Sequence, residues 1–96
     1  MDKKFYYNNL YDYYKDLLTE KQQEYFENYY FEDYSLGEIS ENNDVSRNAV
    51  FNQVKSVEEK LEYYEEKLNL YKNSIKIREI IKNLDDKTKE KIEELI

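Results

Sequence analysis

The chain has 96 residues, with 15 Lys and Arg against 22 Asp and Glu for a formal net charge of -7, and it contains no Cys, no His, no Pro and one Gly. That length supports one compact domain, or a small core with an extension. Without Cys or His there is no disulfide, no zinc site of the usual ligand types, and no Cys–His or Ser–His nucleophile.

The near absence of Gly and Pro lets helices run without interior breakers, and no stretch alternates apolar and polar residues as a half-buried strand would. The fold class expected is all-α. The N-terminal stretch MDKKFYYNNLYDYY has no apolar core of a signal peptide, and no apolar run approaches the roughly 20 residues needed to span a bilayer. A cytoplasmic protein without membrane insertion is the expectation. The chain carries twelve Tyr and no Trp. Base stacking is one use for so many rings. A core in which Tyr stands in for Leu and Phe, its hydroxyl reaching water at the edge, is the other, and helical spacing of most of the tyrosines favours it.

In chain order, Tyr6, Leu10, Tyr13 and Leu17 fall at steps of four, three and four, widened by Phe5, Tyr14 and Leu18. This predicts an amphipathic first helix. Thr19 with Gln22 reads as a capping box opening a second helix, whose buried face is Tyr25, Phe26, Tyr29 and Tyr30. Ser35 with Glu38 repeats that signature for a short third helix, with Leu36 and Ile39 inward. A turn follows at residues 42–44, where Asn and Asp tolerate the left-handed conformation that Gly usually supplies. Val45 is expected to plug this turn from inside, and Ser46 to cap a fourth helix.

From Ser46 onward Val50, Val54, Val57, Leu61, Tyr64, Leu68, Tyr71 and Ile75 recur at alternating steps of four and three, a heptad seam. An unbroken helix from Ser46 to Tyr71 would be about 39 Å long at about 1.5 Å per residue, more than a small domain covers. The pattern therefore predicts a homodimer through Val57, Leu61, Tyr64, Leu68 and Tyr71. It divides the chain into residues 1–57, holding the helix-turn-helix of 35–57, and residues 58–96, the continuation of the long helix and a short helical tail. Asp85 or Asp86 caps a last short helix.

Charge is unevenly spread. Residues 1–45 hold 4 Lys against 11 acids, whereas between Val45 and Val57 the only charges are Arg47 and Lys55. Adjacent carboxylates such as Glu58–Glu59 and Glu65–Glu66 point about 100° apart on a helix and do not converge as an acid–base pair must. There is no phosphate-cradling glycine loop, so no enzyme and no cofactor is read here. The fourth helix instead presents Arg47, Asn48, Phe51, Asn52 and Lys55 near its N-terminal end, where a reading helix enters the major groove. Arg suits guanine, Asn suits adenine, and Lys suits phosphate. With two cationic side chains on that face, a monomer would bind weakly and lose affinity steeply with salt.

The segment from LTEKQ through LGEI and VSRNAV to the tyrosine-rich YYEEKLNLY closely resembles the YlxM family of helix-turn-helix proteins, and also region 4 of bacterial sigma factors. The resemblance covers residues 5 to about 75. It implies a small helical dimer whose gene typically lies beside those for the signal recognition particle, and hence a regulatory role in that pathway. Two positions depart from the family pattern: Ser40, where a small residue such as Ala is usual, and Asn43, where an apolar residue packs the end of the first motif helix. Asn43 is therefore expected to turn outward or to cap the helix. Two functions follow. One is a dimeric DNA-binding regulator linked to the signal recognition particle pathway. The other is a protein–protein or particle-RNA adaptor using the same fold without DNA, with Phe51 as the anchor for a partner.

Overall fold

In the computed structural model, residues 2–96 form six α-helices and one 3-10 turn, with no strand among the described residues. The all-α class is as the sequence predicts. Helix α1 (Lys3–Tyr14) starts at Asp2, whose carboxylate accepts the Lys4 amide at 3.2 Å, and ends in the 3-10 turn Lys15–Leu17. Helix α2 (Glu20–Tyr30) opens on the Thr19–Gln22 capping box, and α3 (Leu36–Asn43) on the Ser35–Glu38 box, both bonded reciprocally. Helix α4 (Arg47–Leu68) follows Ser46, whose hydroxyl accepts the Ala49 amide at 3.0 Å. Helices α5 (Leu70–Ile81) and α6 (Asp86–Glu93) complete the chain, the latter capped by Asp85.

Three residues adopt positive φ without being glycine: Asp33, Asp44 and Asn69. Each ends a helix or the turn beyond one, and Asp and Asn bear the left-handed conformation at lower cost than other side chains. The sole glycine, Gly37, is not among them.

Helix α4 is the central beam. Helices α1, α2 and α3 all pack on it, and the core is continuous from Leu10, Tyr14 and Phe26 through Ile39, Val50, Val54, Val57 and Leu61 to Tyr71. Phe26 is sandwiched between Tyr11, centroids 4.3 Å apart, and Tyr30, 4.5 Å apart. Burying rings of this size is the dominant favourable term in so small a domain.

Several sequence expectations are corrected here. The long helix is broken: α4 stops at Leu68, Asn69 turns left-handed, and α5 folds back onto α1. α4 is 22 residues long. Its seam is thereby covered within one chain. Val57 and Leu61 are fully buried and Tyr71 nearly so, Tyr64 is half-buried, and Leu68 and Ile75 stand largely free at 50% and 47% exposure. α4 runs straight through residue 57, and Leu61 and Tyr71 join the same core as the motif. The register of α1 is also rotated from the expected stripe. Tyr7, Leu10, Tyr11 and Tyr14 are buried, while Phe5 and Leu17 are more than half exposed, Leu17 because the helix has already tightened into its 3-10 turn. Tyr29 is exposed rather than part of the α2 core, and Val45 lies at 41% exposure rather than plugging the turn.

Three of the buried tyrosine hydroxyls reach carboxylates. Tyr11 donates to Glu27, Tyr30 to Glu58, and Tyr14 to Glu65 at 2.6 Å. Burial pushes each of these hydroxyls above its ordinary pKa, reinforced by the adjacent carboxylate; Tyr14 reaches about 12. Glu65 is itself buried, and it satisfies the start of α5, taking the Tyr71 amide at 3.1 Å and the Lys72 amide at 2.9 Å. The Leu70 amide goes to the Tyr14 hydroxyl at 3.1 Å. Since Asn69 makes no side-chain cap, these two residues replace it.

Candidate nucleic-acid interface

The motif consists of α3, the turn Asp44–Ser46, and the first turns of α4. Ile39 and Val50, both fully buried, lock α3 to α4, with Leu36 half-buried alongside. The turn is closed by backbone: the Asp44 amide bonds to Ser40 and Glu41 carbonyls, and the Val45 amide to the Ser40 carbonyl at 3.1 Å. Ser40, packed against the helix pair, satisfies its hydroxyl on the Gly37 carbonyl at 2.7 Å. Asn43 answers the question its polarity raised. Its amide nitrogen donates to the Ile39 carbonyl at 2.8 Å, and its oxygen accepts the Lys21 ammonium at 2.6 Å. It thus stitches the end of α3 to α2 where an apolar residue would only pack.

Arg47, Asn48, Phe51, Asn52 and Lys55 are all exposed. At about 100° per residue they lie on one flank of α4, and the stretch from 47 to 55 is about 12 Å long, the width of a B-DNA major groove. Arg47, Asn48, Asn52 and Lys55 make no side-chain hydrogen bond or ion pair among the described residues. The Lys55 ammonium instead lies 6.0 Å from the centre of the Phe51 ring. The serine cap leaves the N-terminal end of α4, with its partial positive charge, at the same place.

The next three turns of this flank carry Glu58, Glu59, Glu62 and Glu66. Glu58 is turned inward: it accepts the Tyr30 hydroxyl, sits 3.8 Å from the Lys3 ammonium, and its side chain is 13% exposed. The acid nearest the face is therefore largely engaged by the protein, whereas the outer three remain solvated. The flank changes sign along its length, cationic and amide-bearing at the N-terminal end and acidic beyond.

Sequence reasoning missed two parts of this surface. A groove beside Phe51 is lined by Tyr29, Leu36, Val54 and Glu58, with Lys3 and Lys55 at its rim; it depends on α1 and α2, which no local pattern ties to residue 51. Gly37, second residue of α3, lies against the Arg47 side chain, and only its lack of a side chain could have signalled that closeness.

A family model described as "Putative helix-turn-helix protein, YlxM / p13 like" matches residues 1–96. The chain belongs to the YlxM family. Three relatives bearing the family designation UPF0122 illustrate the likeness. One from Oceanobacillus iheyensis is 58% identical over 71 residues, covering 74% of this chain and 68% of the relative. One from Halalkalibacterium halodurans is 49% identical over 86 residues, covering 90% and 79%. One from Caldanaerobacter subterraneus is 53% identical over 87 residues, covering 91% and 68%. The family description carries the motif and names no ligand. As a YlxM-family protein the chain has a helix-turn-helix in an all-α fold, and none of its described helices is long and apolar enough to cross a membrane.

Proposed function

We propose that this chain is a non-enzymatic regulatory protein that binds double-stranded DNA through the N-terminal end of α4. One observation carries the reading. Arg47, Asn48, Asn52 and Lys55 share an exposed flank about 12 Å long and make no side-chain hydrogen bond or ion pair among the described residues, so their hydrogen-bonding capacity is left for a ligand. Docking is end-on: the N-terminal turns enter the groove and the acidic continuation from Glu59 onward stays outside it, where phosphate repulsion is screened within about 10 Å at ordinary salt. Asn48 and Asn52 are assigned to adenine edges and Lys55 to a phosphate. Self-association is part of the proposal, because one copy offers few phosphate contacts. It would use Leu68 with the exposed apolar residues Leu70, Ile75 and Ile80 of α5, not Val57, Leu61 or Tyr71, which the chain itself buries. The family resemblance supports a setting in the signal recognition particle pathway.

A second reading, a protein or particle-RNA adaptor, is favoured by the groove beside Phe51, where a half-exposed ring meets Tyr29, Leu36 and Val54. Salt-titrated binding to a duplex and to the particle's RNA as separate ligands tests both. Duplex affinity that falls linearly on a log–log salt plot supports the regulator. No affinity for duplex at low salt, in a chain shown to self-associate, supports the adaptor.

A further inference from the structure

Gly37 occupies a helical position where glycine is a poor choice. It is the second residue of α3, its φ is not positive, and alanine there would stabilise the helix. What a side chain would meet is Arg47. A methyl group on the Gly37 Cα would lie 2.9 Å from Arg47 Nη2, 3.0 Å from Nε and 3.1 Å from Cζ. The guanidinium lies against the α3 backbone through the gap that glycine leaves. No other atom outside α3 crowds that gap more closely.

We propose that Gly37 is a positioning residue that seats Arg47 as a phosphate clamp rather than a base reader. The proposal rests on the reading that this face binds a duplex. In helix-turn-helix docking the first motif helix crosses the sugar–phosphate backbone while the second lies in the groove. A guanidinium held over the first turn of α3 is therefore at the edge of the groove, where a phosphodiester runs, and not over its floor. Helix geometry agrees: Arg47 points about 100° from Asn48 and about 140° from Asn52 around α4, toward α3. The acids nearest to Arg47 in sequence, Asp44 and Glu41, make no ion pair with it, Glu38 beside Gly37 is tied to the Ser35 amide at 3.0 Å, and the guanidinium has no ion pair among the described residues. A planar fork with free N–H groups, fixed beside the groove, suits two oxygens of one phosphodiester. Sequence discrimination is left to Asn48 and Asn52.

The test compares the wild type with Gly37→Ala, Arg47→Ala and the double variant, using a random-sequence duplex as probe. Gly37→Ala should melt at or above the wild-type temperature, weaken binding as much as Arg47→Ala does, and flatten the salt slope by about one unit. In the Arg47→Ala background, Gly37→Ala should change neither affinity nor slope. Wild-type binding by Gly37→Ala, or a further loss in the double variant, overturns the positioning role. A loss in Arg47→Ala confined to guanine-containing targets overturns the clamp. Side-chain relaxation of the Arg47 Nε–H group separates this from failure of the underlying reading. Even if the wild type binds no duplex, the group should be ordered in the wild type and disordered in Gly37→Ala; disorder in both overturns the proposal.

Discussion

The two ends of α4 use polar residues in opposite ways. At its C-terminal end Glu65 is buried and spends its carboxylate entirely within the protein, on the Tyr14 hydroxyl and the first amides of α5. At the N-terminal end Arg47, Asn48, Asn52 and Lys55 are exposed and make no side-chain hydrogen bond or ion pair among the described residues. Both ends of the helix carry charged and polar residues, so polarity by itself does not separate structure from function here. Partnering does. A buried polar group must be satisfied or it costs free energy, and an exposed one without partners costs nothing to keep available.

The largest effect expected from this contrast is at the satisfied end. Glu65→Ala leaves two backbone amides and the Tyr14 hydroxyl short of an acceptor, and should destabilise the fold by about 3 kcal/mol, at about 1–3 kcal/mol per unsatisfied buried group. Urea denaturation reads it directly. A loss below about 1 kcal/mol would mean that water reaches the joint between α4 and α5 and that the contrast is weaker than drawn.

The same joint sets a pH limit. Burial and the Glu65 carboxylate push the Tyr14 hydroxyl from 10.0 to about 12. Between those values the unfolded chain has released a proton that the folded chain keeps. The contribution is therefore complete below about pH 10 and is lost as pH rises toward 12. The hydroxyls of Tyr7, Tyr11 and Tyr30 are raised by burial in the same direction. Melting temperature should hold to about pH 10 and then fall, with the tyrosinate absorbance of Tyr7, Tyr11, Tyr14 and Tyr30 appearing in one cooperative step as the fold opens. Gradual ionisation of these four without unfolding would count against buried hydroxyl–carboxylate pairs.

A smaller effect is expected at the start of α4. Ser46→Ala removes the cap on the Ala49 amide and should cost about 1 kcal/mol. An unchanged melting curve would show that water caps the helix equally well.

At the open end stability should barely move, within about 0.5 kcal/mol, when Asn48, Asn52 or Lys55 is replaced by Ala. Binding should move instead. Lys55→Ala lowers affinity for every duplex and the salt slope by about one unit, while Asn48→Ala or Asn52→Ala reduces discrimination between sequences by about 1–3 kcal/mol. Equal effects on all sequences from all three variants would remove base reading from this face.

What the sequence discloses follows the range of the interaction. The caps at Thr19, Ser35, Ser46 and Asp85 are set by residues three apart, and each is where the pattern puts it. The break at Asn69 is hidden, because the spacing of Tyr64, Leu68, Tyr71 and Ile75 runs through it as if the helix continued, and neither Gly nor Pro marks it. Glu65 is equally silent in the run YYEEKL, where it looks like its solvated neighbour Glu66; its role depends on Tyr14, 51 positions away. The rotated register of α1 has the same origin. With Tyr at positions 6, 7, 11, 13 and 14 both faces of that helix look apolar, and only contacts to α2, α4 and α5 choose between them. The exposed residues 47, 48, 51, 52 and 55 were legible because exposure along one flank is itself periodic.

The Tyr11–Phe26–Tyr30 stack also gives the molecule its own optical reporter. Two rings stacked within 4.5 Å of the Phe26 ring in a fixed chiral arrangement produce a near-ultraviolet circular dichroism signal, and no tryptophan overlays it. The stack joins α1 to α2 and vanishes if those helices stay formed but lose their mutual fit, a change that helical far-ultraviolet signals do not register. Tight packing and mere helix content can thus be followed separately in the unlabelled protein.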